Sequence, residues 1–275
     1  SQQLPSIIKS IKCIFISHMH ADHHLGLITI LLYYKKLFLN TNQQGHQITI
    51  IAPVALLKWL KQYNEVLPKT MKINDIYVFV NIKDIDITLT NSDNNNDVIK
   101  DKFYSANNNI LQMLIPEMNV YAVPVIHCHH AYGIIIQYQK DWKLVYSGDT
   151  RPCSLLIQYG IYCDILIHEA TFSSDMYDEA KLKKHSTILE AIHTGQEMNA
   201  SRIILTHFSQ RYPKTAILDD KNSQTIFAYD LMNISFSSLI LMPYINETLS
   251  LLFKEEMEDI KENDEKRVLK RLKLS

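Results

Sequence analysis

The stretch "SHMHADHH" (17–24) sets His18, His20, Asp22 and His23 in the spacing H-x-H-x-D-H. Imidazole and carboxylate together suit Zn²⁺ and similar borderline ions. At i and i+2 on a tight loop, His18 and His20 can point the same way, while Asp22 and His23 turn toward a neighbouring point. Two adjacent metals satisfy that spacing more naturally than one. The competing reading is a chance cluster of histidines on a surface loop. Other candidate ligands weigh against it by where they fall. His127 ends "VYAVPVIH", Asp149 ends "LVYSGD", His168 and Glu169 end "ILIHE", and His207 ends "IILTH". Any one of these alone is more often a satisfied structural polar residue. Repeated at the ends of apolar runs, they are what a rigid sheet offers a preorganised metal site.

The elements that must hold these residues are legible as runs and periods. Residues 11–17 ("IKCIFIS") and 47–53 ("QITIIAP") read as strands. Residues 25–38 and 54–63 have helical length and periodicity. Strand-like runs follow at 75–80, 110–116, 119–127, 132–139, 142–149, 163–170, 202–207 and 225–236, with a helical pattern at 188–198. Interleaved strands and helices predict an α/β fold with a mixed sheet and helices outside. Residues 91–109 are Asn-rich and polar, the composition of a disordered surface insertion. Residues 254–275 read as a charged helical tail, a solvated face before a targeting patch. The expected catalytic domain is 1–253.

Composition narrows the class. With 275 residues and 47% hydrophobic content, the chain can bury a large core in one or two domains. A net charge of −1 does not advertise a nucleic-acid binder, so any polyanion site must be local. Cys13, Cys128, Cys153 and Cys163 form no CxxC pair, which fits a reducing compartment better than a disulfide scaffold. No apolar run approaches the ~20 residues of a membrane span.

Seven segments carry a resemblance: "SHMHADHHLGL" (17–27), "PVIHCHHAYG" (124–133), "YSGDTRP" (146–152), "LIHEATF" (166–172), "KKHSTILEAI" (183–192), "LTHFSQRYP" (205–213) and "AYDLM" (228–232). In these the chain resembles the metallo-β-lactamase superfamily, and within it the tRNA 3′-end processing endoribonucleases (tRNase Z, ribonuclease Z). HxHxDH is shared across the superfamily; "HEATF" followed by "KHST" is far more specific. The resemblance implies a four-layer αββα sandwich. It gives one zinc to His18, His20 and His127 and a second to Asp22, His23 and His207, with Asp149 bridging. It puts His168 and Glu169 outside the ligand set, with Glu169 orienting His185. The activity implied is removal of 3′ trailers from precursor tRNA, leaving a tRNA 3′-hydroxyl.

Each role has a chemical reason. Two metals can supply a nucleophile and neutralise charge on a phosphoryl group. Asp22 can take the proton of the attacking water. The leaving oxygen needs a proton, and His185 is the candidate general acid because imidazole is near balance at neutral pH. Ser186 or Thr187 looks like a helix cap, which would also hold His185 rigidly. Arg211 and Lys214, with Lys181, Lys183 and Lys184, are candidates for substrate phosphates, although Lys181 and Lys183 read equally well as surface lysines. His129 and His130 receive no ligand role. His24 is expected to begin the next helix as a packing residue, and His46 and His193 to be ordinary.

Departures from the family pattern set the remaining expectations. Members begin with a glycine-rich strand-turn and a "DCGEGT"-like strand that this text lacks, so the first strands of the sheet are expected to be missing. No glycine stands between Gly45 and Gly133, so the glycine-rich arm with which short-form enzymes grip tRNA cannot be read there. The implied protein is the catalytic C-terminal half of a long-form eukaryotic enzyme. Its implied partners are precursor tRNA and the N-terminal half of the same chain, or a homodimer partner if it is short-form. The implied compartment is the nucleus or the mitochondrion, with no membrane role. One rival is another hydrolase of this fold, such as a DNA or mRNA nuclease or a phosphodiesterase. His185 and His207 stand only 22 positions apart, which leaves no room between them for the cassette that β-CASP nucleases insert. A second rival is a non-catalytic RNA-associated subunit, which predicts missing ligands that are in fact present.

Overall fold

The first apolar runs pair in parallel in the computed structural model, which describes residues 4–38, 47–88, 117–209 and 224–239 together with Leu241, Tyr244 and Thr248. The chain divides into two compact units, Ser1–Trp142 and Lys143–Ser275. The expected insertion (91–109), the run 110–116 and the tail (254–275) lie outside the described residues.

In the first unit, β1 (Cys13–Phe15), β2 (Ile48–Ala52) and β3 (Tyr77–Asn81) form a parallel sheet in that order, with Ile14 opposite Ile50 and Ile50 opposite Phe79. Parallel neighbours need crossovers. α2 (Ala21–His24) and α3 (Leu27–Phe38) link β1 to β2, and α4 (Val54–Val66) lies between β2 and β3. Every residue of β2 is buried, as the middle strand of a parallel sheet covered on both faces should be. α3 turns Leu27, Ile28, Leu31 and Tyr34 inward, and α4 turns in Leu56, Leu60 and Asn64, both at helical spacing. These side chains meet Ile48 and Ile50 in one core. Asn64 is the polar exception, and its Oδ1 accepts from Ile73 N at 2.8 Å.

Leu4–Ser10 is helical (α1), and Pro5 sits in its first turn, where a missing N–H does no harm. β4 (Met118–Pro124) and β5 (Tyr132–Tyr138) then pair antiparallel, from Met118 opposite Tyr138 to Pro124 opposite Tyr132. β4 therefore stops at Pro124, and His127 stands in the turn beyond it rather than at the strand end.

In the second unit, β6 (Trp142–Tyr146), β7 (Ile165–Glu169), β8 (Arg202–Thr206) and β9 (Thr225–Phe227) are neighbours in that order and all parallel. α5 (Ser154–Gly160) joins β6 to β7, and α6 (Tyr177–Lys183) with α7 (Ile188–Glu197) joins β7 to β8. Helical crossovers of this kind put the ends of successive strands on one edge. The run 225–236 shortens to the three residues of β9. β6 ends at Tyr146, so Asp149 also stands past its strand, after Gly148 at φ 59°, a left-handed value that glycine adopts freely.

α7 is pressed onto β8 and β7. A methyl group on Gly195 would stand 2.5 Å from Ile203 Cγ1 and 3.2 Å from Leu166 Cδ2. Gly195→Ala should therefore destabilise the protein by about 1–3 kcal/mol through overpacking, despite alanine's better helix propensity. Chemical denaturation of the two proteins measures this; an equal or raised midpoint would show that the helix seat is looser than described.

Candidate functional site

Ser17 O accepts from Tyr132 N at 3.0 Å, which ties the end of β1 to the start of β5. That bond brings the loop after β1 against the turn before β5, and with them His18, His20 and His127. His18 is fully buried and His127 nearly so. His18 Nε2 lies 3.0 Å from His20 Nδ1, and His127 Nε2 lies 3.1 Å from the same atom. Ligands ~2.0–2.1 Å from a tetrahedral zinc stand roughly 3.4 Å apart, so this convergence fits one shared ion with a small expansion. Ser17 Oγ is 3.0 Å from His18 Nδ1, and a proton on that nitrogen leaves Nε2 bare toward the ion. Cys128 Sγ falls within 4.8 Å of the same three imidazole atoms. Nothing in the sequence spacing singled it out.

Asp22 is largely exposed, and its Oδ2 lies 3.4 Å from His23 Nε2; the His23 ring sits 4.2 Å from that of His18. His24 closes α2 instead of opening the next helix. Its Nδ1 lies 2.9 Å from His20 O and its ring packs edge-on against Trp59, so it supports the loop. The rings of His129 and His130 lie 3.7 Å apart, tilted at 47°, and join none of the metal-capable groups among the described residues.

The second unit carries Asp149, Glu169, His185 and His207. Ser147 N bonds Ile167 O at 2.9 Å and Glu169 N bonds Ser147 Oγ at 3.0 Å, so the Asp149 loop is fastened to β7. Asp149 is buried, and its Oδ1 lies 3.7 Å from His207 Nε2. His207 directly follows β8 in a left-handed conformation, φ 62°, uncommon for a side chain with a Cβ and frequent at functional positions. Thr171 Oγ1 lies 2.8 Å from its Nδ1, which leaves Nε2 to face Asp149. No spacing or motif in the sequence marks Thr171 for this part.

Glu169 is 1% exposed and saturated with donors. Its Oε1 accepts from Thr150 N at 2.8 Å and lies 2.8 Å from His185 Nδ1. Its Oε2 accepts from Thr171 Oγ1 at 2.7 Å, Thr171 N at 3.2 Å and Ser186 N at 3.2 Å. A carboxylate so occupied is fixed in place, and with His185 and His207 it also forms one of the groups that could hold a metal ion. Thr187, not Ser186, caps α7, in a capping box with Glu190. Ser186 Oγ instead donates to Thr150 O at 2.6 Å. His168 is fully buried with Nδ1 2.7 Å from Glu169 O, and its Nε2 meets no hydrogen-bond partner among the described residues. It joins no metal-capable group there. His193 is exposed beside Glu197, and Lys181, Lys183 and Lys184 are exposed on and just after α6. Arg211, Lys214 and His46 lie outside the described residues.

Clusters of imidazole and carboxylate at strand ends of an α/β fold define a metallohydrolase-like architecture, and the comparisons agree. The beta-lactamase superfamily domain matches residues 2–208, and the chain belongs to that superfamily. Among its relatives is the mouse zinc phosphodiesterase ELAC protein 2, 33% identical over 273 residues, covering 98% of this chain and 31% of that protein. Another is tRNase Z TRZ3, mitochondrial, of Arabidopsis thaliana, 31% identical over 94% of this chain and 32% of the relative. The crystal structure of a long form RNase Z from yeast superposes with a TM-score of 0.72 at 28% identity, over 90% of this chain and 36% of that one. The chain thus spans about a third of the length of these relatives. The fold is the metallo-β-lactamase one that the resemblance implied, and it is α/β as the runs and periods predicted.

His168 gives the site a pH signature. Burial lowers its pKa from the ordinary 6.5, so the folded protein holds it neutral, and a proton on Nε2 would face no acceptor. The unfolded chain binds that proton first. Stability is therefore complete above about pH 6.5 and falls below it, by up to about 1.4 kcal/mol per pH unit until the folded value is reached. His168→Asn should remove that one-proton slope at equal metal loading. Identical acid profiles of the two proteins in denaturant titrations would contradict it.

Proposed function

We propose that this chain is the catalytic part of a zinc-dependent endoribonuclease that removes 3′ trailers from precursor tRNA and leaves a tRNA 3′-hydroxyl. The observation that carries the reading is the buried Glu169 carboxylate 2.8 Å from His185 Nδ1, on the same network as His207. A metallohydrolase acting on thioesters or lactams needs no such proton-donating pair, and the names of the mouse and Arabidopsis relatives point the same way. The two units are proposed to work as one catalytic domain over 1–253.

In this proposal His18, His20 and His127 hold one zinc, Asp22, His23 and His207 hold another, and Asp149 serves both. When bound, the ions supply nucleophile activation and charge neutralisation at phosphorus. The chain's own groups manage the protons. Asp22 accepts the proton released by the attacking water. Glu169 accepts the Nδ1–H of His185, fixing the ring so that Nε2–H faces the leaving 3′-oxygen and protonates it. Arg211 and Lys214 are assigned to substrate phosphates from their place beside His207. The near-neutral charge supports a main tRNA grip supplied elsewhere, by a further half of the same polypeptide or by a second copy. The place of work is proposed as the nucleus or the mitochondrion, the latter being named for one relative. No helix among the described residues is long and apolar enough to cross a membrane.

The full-length polypeptide, with its tRNA grip, should cut a 3′-extended precursor tRNA at the discriminator base, and His185→Ala should keep two zinc ions per chain while losing about 10²–10⁴ of the cleavage rate. End mapping and metal analysis of both proteins provide the check. Failure to process the precursor would sink the activity, and parallel loss of zinc and rate would sink the role of His185.

A further inference from the structure

Arg151 leaves the loop of Asp149 and reaches the backbone that carries His185. Its Nη1 donates to His185 O at 2.7 Å and to Glu190 Oε2 at 2.8 Å, and its Nη2 donates to Glu190 Oε1. The Arg151 and Glu190 side chains are only 14% and 19% exposed, and the Tyr177 ring lies 5.3 Å from the guanidinium carbon. A two-pronged fork on a carboxylate, mostly shielded from water, holds direction as well as charge. The same Glu190 Oε2 accepts from Thr187 N at 3.0 Å and Thr187 Oγ1 at 3.1 Å, so the fork also fixes the first turn of α7.

The His185 main chain is thereby held from both sides. Its carbonyl rests on Arg151, while the following N–H, of Ser186, rests on Glu169 at 3.2 Å. On the other flank Lys184 takes a left-handed conformation at φ 57°, and His185 N bonds Ala180 O at 2.9 Å. Glu169 alone orients the imidazole about its own bonds. Through Thr150 and Ser186 it also ties this segment to the loop of Asp149, and the guanidinium adds the link to the carbonyl of His185 itself.

We propose that Arg151 is a positioning residue that acts through His185, setting the distance between the proton-donating imidazole and the phosphodiester. The inference rests on the reading of His185 as general acid. In this role Arg151 is held in place by three of its five N–H donors, spent on Glu190 and His185 O. Removing it should slow only the step that needs the proton.

Two substrates separate this role from a merely structural one: the precursor tRNA, whose leaving ribose oxygen needs a proton, and bis(p-nitrophenyl) phosphate, whose nitrophenolate leaves without one. Arg151→Ala should lower kcat on the RNA by about 10–100-fold with KM little changed. On the activated diester the rate should stay within about twofold, with zinc content intact. Arg151→Lys, which keeps the charge and one hydrogen bond, should recover part of the RNA rate. If Arg151→Ala does not fold, Glu190→Gln carries the same split, since glutamine preserves the cap while weakening the fork. Equal losses on both substrates, or a loss confined to KM, would overturn the inference alone. A wild-type full-length polypeptide that hydrolyses the diester but cuts no RNA would overturn the proposed function and this inference with it.

Discussion

A single buried carboxylate organises the second unit. An ionised group with 1% exposure is tolerable only where donors replace its lost water. Glu169 recruits them from three separate segments: Thr150 after β6, Thr171 after β7, and His185 with Ser186 before α7. The donors lie in loops beyond the named strands, two of which meet in a single bridge between Phe172 and Thr187. The loops that carry Asp149, His185 and the support of His207 are therefore arranged around one charge. The preorganisation of the site and the stability of those loops have a common origin, because losing the carboxylate would leave several buried N–H and O–H groups unmatched.

The first unit solves the opposite problem, with nitrogen lone pairs rather than an anion at its centre. His18, His20 and His127 bring three ring nitrogens to 3.0–3.1 Å spacing through His20 Nδ1. Neutral imidazoles can share protons in such a cluster only for some of those contacts, whereas a cation satisfies all three at once. Ser17 on His18 Nδ1 decides which nitrogen of that ring faces inward, and His24 on the His20 carbonyl holds the backbone of the loop. In both units the reactive end of an imidazole is chosen by what holds its other side.

Much of this was legible from residue order. The parallel strands of the first unit and helices α3 and α4 stand where the runs and periods put them, because β2 and the inward stripes of those helices have unambiguous burial demands. Elements with weaker local signals were not. α1 received no assignment from the sequence, since its seven residues carry too short a period to announce a helix. The run 225–236 kept only three paired residues, because apolar content alone does not specify which part meets a partner strand. His127 and Asp149 looked like strand ends, yet Pro124 and Gly148 stop or turn the chain just before them.

The sequence by itself determined the chemistry: H-x-H-x-D-H, the later histidines and aspartate, and the pairing of Glu169 with His185 are statements about residue types and family pattern. Tertiary structure decided the supporting cast. Thr171 on His207, Ser186 on Thr150, Thr187 as the true cap and Arg151 on the carbonyl of His185 are contacts between residues up to 36 positions apart. Threonine, serine and arginine carry no periodic or spacing signal for such roles. A hydroxyl or guanidinium acquires its task only when folding brings a particular acceptor within hydrogen-bond reach, and no local rule in the sequence encodes that distance.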